Sequence, residues 1–146
     1  RRMLDMGLPV GAGTDATRVA SYNPWVALQW LVSGRTVGGT RLYADADRLT
    51  RDEALRLYTH GSAWFSGEQE QKGTLTPGRF ADLAVLSEDY FTVPEGEIGR
   101  IESLLTVVDG KVVSGSQALA RAPGVPVGPE RWMTGNADRR IDPGGR

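Results

Sequence analysis

No cysteine occurs among the 146 residues. That excludes a disulfide framework, a thiolate metal site and a cysteine nucleophile, and it fits a cytoplasmic protein. Histidine is almost as scarce. His60 stands alone, so a histidine-rich zinc site cannot be assembled from this chain by itself. Charge of one sign is also lacking: 17 basic residues face 18 acidic ones, for a formal net charge of -1. That gives no reason to expect nucleic acid or an acidic membrane as a partner. No apolar run is long enough to cross a bilayer. The opening Arg1-Arg2-Met3-Leu4-Asp5 has no apolar segment of the signal-peptide kind. It also has no initiator methionine, so residue 1 is not expected to be a natural start and the chain is expected to be a fragment. An apolar share of 40% and a charged share of 24% are ordinary, and the length suits one modest core.

Leu8–Gly13 (LPVGAG) is short, apolar and rich in glycine, which suits a buried strand better than a helix. A polar loop from Ala16 to Asn23 follows. Asn23 is a good N-cap, and Pro24 takes the first helical position, where its missing N–H costs nothing. Trp25, Val26, Leu28, Trp30, Leu31 and Val32 then make a helix apolar nearly all round, the pattern of an element buried on most sides. Ser33-Gly34 ends it. Thr50 and Glu53 form a capping box for a second helix, which runs to about Phe65 with Ala54, Tyr58 and Phe65 on roughly one face. Gly67 is its stop.

Beyond Lys72 the pattern turns to β. Asp82–Leu86 (DLAVL) and Leu104–Val108 (LLTVV) are apolar runs of strand length. Asp109-Gly110 separates Leu104–Val108 from Lys111–Ser114 and predicts a hairpin with a type I′ turn. From Ala120 the chain is rich in proline, glycine and arginine and has no periodicity, as expected of a disordered or poorly packed tail. Gly73 and Pro77-Gly78 read as turn residues rather than a phosphate loop.

The segment Gly7-Leu8-Pro9-Val10-Gly11-Ala12-Gly13-Thr14-Asp15-Ala16 resembles the last barrel strand of the amidohydrolase superfamily, in particular amidohydrolase family 3, the YtcJ-like branch. The Thr50-x-x-Glu53-Ala54-Leu55 helix start and the stretch Lys72–Leu86 (KGTLTPGRFADLAVL) resemble that family's return from the barrel into a small β-sandwich. Thr106–Val113 resembles the sandwich's final hairpin. The resemblance implies an α/β fold: the end of a (β/α)8 TIM-like barrel over residues 1–68, then part of a small composite β-sandwich over 69–119, with the tail at 120–146.

The same resemblance implies a metal-dependent hydrolase acting on carbon–nitrogen bonds of an amide-type small molecule, with zinc as the expected divalent metal. Homo-oligomers are an expectation of the same kind. Functional side chains of such barrels project from the carboxy-terminal strand ends, where Asp15 falls. It would touch the metal, take the proton of the attacking water and pass it to the leaving nitrogen, tasks a carboxylate can perform. Read without the family, an aspartate after a glycine-rich run is a turn former or helix cap. Arg18, three residues on, could meet a substrate carbonyl or carboxylate, or be a solvated loop arginine. Trp25 and Trp30 read as core and His60 as structural. With most of the catalytic apparatus missing, the chain alone is expected to be inactive. The alternative is a non-catalytic binding or structural module on an amidohydrolase-like fold.

Overall fold

The computed structural model describes residues 1–16 and 21–115. The tail expected from Ala120 lies outside the described residues. One turn of helix, α1 (Arg2–Asp5), opens the chain, and the Arg1 guanidinium ties it down. It reaches Asp5 at 2.6 Å and Glu53 of the second helix at 2.7 Å. Helix α2 spans Pro24–Ser33, with Pro24 at its start as expected. The Asn23 side-chain oxygen accepts from the Trp25 N–H at 3.0 Å, and its amide donates to the Gly99 carbonyl at 3.3 Å. One residue thus caps the helix and fastens it to a turn far along the chain.

The capping box at Thr50 and Glu53 is formed in both directions: Glu53 N–H to the Thr50 hydroxyl at 3.2 Å, and Thr50 N–H to the Glu53 carboxylate at 2.8 Å. The helix it starts has three parts, α3 (Arg51–Arg56), a π-helical turn (Leu57–Gly61) and α4 (Ser62–Phe65). A three-stranded antiparallel sheet comes next, β1 (Leu83–Leu86), β2 (Ser103–Val108) and β3 (Lys111–Gly115), in the order β1-β2-β3. Asp109 and Gly110 both take positive φ, 50° and 72°, as the I′ turn requires. The Asp82 carboxylate accepts from the Asp109 N–H at 2.8 Å, so the aspartate of DLAVL pins this turn.

The core gathers Leu28 and Val32 of α2, Leu49, Ala54, Leu57, Tyr90, Ile98 and Ile101. Ile98 and Ile101 come from a 3-10 turn at Glu95–Arg100 and the residue after it, an element that the apolar pattern does not announce. They close over α2, and the Gly99 N–H donates to the Gln29 side chain at 2.7 Å. Each isoleucine buried this fully is worth about 1.5–3 kcal/mol. A smaller cluster joins Leu105 and Val112 on one face of the sheet, with Val107 packed against them.

Three expectations need correction. Leu8–Gly13 forms no regular element and is not a strand. Among the described residues no strand lies beside it, and it is held by the second helix instead. Trp30 is 43% exposed rather than core, and α2 buries only Leu28 and Val32. The Glu95–Arg100 turn and α3 both pack against this helix, and of its residues only Pro24 and Trp30 are exposed. Phe65 leaves the face it was expected to share with Ala54. The π turn spends one extra residue, which rotates the residues after it by about 100° on the 3.6-residue helical period, and Phe65 ends 63% exposed.

Candidate functional site

Leu8–Gly13 approaches the second helix closely enough that two glycines face each other. A methyl carbon at Gly61 would sit 2.3 Å from the Val10 carbonyl oxygen. One at Gly11 would sit 2.8 Å from the Phe65 ring and 3.1 Å from the Gly61 carbonyl oxygen. Only residues without a Cβ allow two backbones this near. The π turn exploits the approach, because the Leu57 carbonyl accepts from the Ala12 N–H at 3.0 Å. The Ser62 hydroxyl lies 2.9 Å from that same carbonyl oxygen and 2.7 Å from the carbonyl oxygen of Ala12. It can give its single proton to only one of them at a time.

Three residues past Ala12 stands Asp15. Its backbone is left-handed, at φ 48°, a region that aspartate tolerates better than most residues. The Thr14 hydroxyl accepts from the Ala16 N–H at 3.3 Å, closing a tight local turn with Asp15 at its tip. The side chain is exposed. A carboxylate is therefore presented outward at the end of a segment whose other end is bonded to a helix. Arg18 lies outside the described residues.

Asp15 is not among the residues that line the cleft beside β1. That cavity, about 540 Å³, opens between the second helix and β1 and is walled by Trp25, Leu55, Tyr58, Lys72, Leu83 and Leu86. Its lining is mainly apolar. Trp25 is half-buried there, with its ring 5.8 Å from that of Tyr90. Lys72 is held by Glu68 at 2.6 Å, and that ammonium keeps the Glu68 carboxyl below the usual carboxylate range. Gly73 lies against the π turn, where a Cβ would meet the His60 Cα at 2.9 Å. His60 itself is exposed on that turn.

Among the described residues, no three His, Asp or Glu side chains gather closely enough to hold a metal ion. One carboxylate does not make a binding site for a divalent cation, which takes several ligands. The described residues therefore do not fit a metal by themselves. Also among the described residues, no helix is long and apolar enough to cross a membrane.

The contribution of Gly61 and Ser62 was not read from the sequence. Its trace is there, since Gly61-Ser62 interrupts the second helix in the middle of its apolar periodicity.

The sequence profile of the amidohydrolase family matches residues 1–114, and the chain belongs to that family. Over 110 residues it is 36% identical to the N-substituted formamide deformylase of Arthrobacter pascens, an alignment covering 75% of this chain and 20% of that protein. Over 116 residues it is 28% identical to the Bacillus subtilis (strain 168) protein named as amidohydrolase YtcJ, covering 77% of this chain and 22% of that one. The chain thus spans about a fifth of the length of the curated relatives it matches. No solved structure matches it significantly.

Proposed function

We propose that this chain is the carboxy-terminal part of a hydrolase that cleaves carbon–nitrogen bonds of amide-type small molecules, and that Asp15 is its contribution to the reaction. The observation that carries the reading is the exposed carboxylate at φ 48°, at the tip of a turn after a segment fixed to the second helix. In this reading residues 1–68 are the end of a (β/α)8 barrel, with Gly7–Ala16 in the place of its last strand, and the β1-β2-β3 sheet is part of a small composite sandwich.

Asp15 accepts the proton of the water that attacks the carbonyl carbon, and later delivers it to the departing nitrogen. Such proton transfer is worth typically 10²–10⁴-fold in rate. The divalent ion expected for the family, zinc among the candidates, would need its other donors from parts of the parent protein beyond these residues. The printed name of the Arthrobacter pascens relative makes N-substituted formamides the first substrates to try.

The test is Asp15→Asn in the longer protein that contains this chain. The amide keeps the shape and removes the base. We expect kcat to fall by about 10³-fold with KM within about threefold, as when an interaction of the transition state alone is lost. Unchanged kcat on a substrate that the wild type hydrolyses would remove Asp15 from the reaction.

A further inference from the structure

The π turn and the two residues that complete it have no explanation in helix stability alone. A π turn costs regularity and is uncommon, and π turns inside helices are often retained where they serve a site. Here the turn has a definite product. It leaves the Leu57 carbonyl able to accept from the Ala12 N–H at 3.0 Å, outside the helix. Ser62, at the first position of α4, stands with its hydroxyl 2.7 Å from the Ala12 carbonyl oxygen and 2.9 Å from that of Leu57. The Ala12 N–H is therefore bonded to this helix, and the Ala12 carbonyl oxygen stands within reach of a hydroxyl on the same helix. Gly61 and Gly11 let the backbones meet, and Val10 and Ala12 pack against the core.

We propose that Ser62, with the π turn at Leu57–Gly61, is a positioning device for Asp15. It fixes the height and rotation of the segment that ends in the carboxylate, in the place where a neighbouring strand would otherwise supply the bonds. The proposal rests on the reading of Asp15 given above. Ser62 touches no reacting atom; it acts through Ala12, three residues from Asp15. A general base must stand within hydrogen-bond reach of the proton it takes, and a displacement of about 1 Å can cost about 10²-fold in rate.

The test compares Ser62→Ala, Ser62→Thr and Asp15→Asn in the longer parent protein, together with amide hydrogen exchange at Ala12 in the wild type. Ser62→Ala should lower kcat by about 10- to 100-fold and leave KM within about twofold. Ser62→Thr keeps the hydroxyl and should restore most of the rate. A merely structural serine would change the melting temperature without that split between kcat and KM, and such a result overturns the proposal. So does a kcat unchanged in Ser62→Ala when Asp15→Asn has lost its activity. Full activity in Asp15→Asn instead overturns the role of Asp15, and the proposal falls with it. Should Ser62→Ala fail to fold, the wild-type exchange still decides: Ala12 N–H must be protected, and exchange at the rate of an open loop shows that the clamp is not there.

Discussion

At Tyr90 a phenol is buried to 2% exposure while its hydroxyl still donates to the Arg51 carbonyl oxygen at 3.1 Å. The Arg51 guanidinium returns the connection, donating to the carbonyl oxygens of Tyr90 and Val93. Burial pushes the Tyr90 phenol up to about 12, against an ordinary value of 10.0. A folded pKa above the unfolded one means that the neutral phenol favours the folded state. Its contribution is whole below pH 10 and is lost as the pH climbs from about 10 to about 12. We expect urea unfolding to show stability falling across that window, and Tyr90→Phe to flatten much of the fall at a cost of about 1 kcal/mol at neutral pH for the lost hydrogen bond. Tyr43 and Tyr58, also raised by burial, account for what remains. Glu53 works in the opposite direction. The Thr50 backbone N–H and Arg1 hold its carboxyl below 4.5, so its contribution is present above that pH and is lost as the pH falls through the lower folded value.

Among the elements, α2 shows how far local signals reach. Its start was legible because capping is local chemistry: Asn23 and Pro24 announce themselves within three residues. The capping box at Thr50 and Glu53 and the Asp109-Gly110 turn were legible for the same reason. What α2 packs against was not. Ile98 and Ile101 lie some seventy residues away, in a 3-10 turn without helical or strand periodicity, and no local pattern links them to Leu28. The LPVGAG segment failed as a strand because a strand is defined by its neighbour, and its bonds go to Leu57 and Ser62 instead. The turn at Asp15 was legible from residue type, since aspartate after a glycine-rich run is a turn former that tolerates positive φ, whereas its role in a reaction rests on the family motif. The Asn23 cap offers a direct check at this scale. Asn23→Ala removes both the Trp25 N–H acceptor and the amide bonded to Gly99. It should cost about 1 kcal/mol for the cap, plus a further loss because Gly99 is also released. Chemical denaturation measures the sum, and Asn23→Ser should recover only the first part.

For the whole molecule, the described residues leave an apolar cleft between the second helix and β1. Trp30, Phe65, Val85 and Leu104 are all exposed, and apolar surface of this kind marks a contact face or promotes association. In the proposed reading the chain contributes one catalytic group to a site completed elsewhere. Assaying the purified 146-residue chain for amide hydrolysis, with N-substituted formamides and added divalent metal, tests this most directly. We predict no turnover above the uncatalysed rate, while the longer parent protein hydrolyses the same substrate. Turnover by the isolated chain, abolished by a chelator, would contradict it.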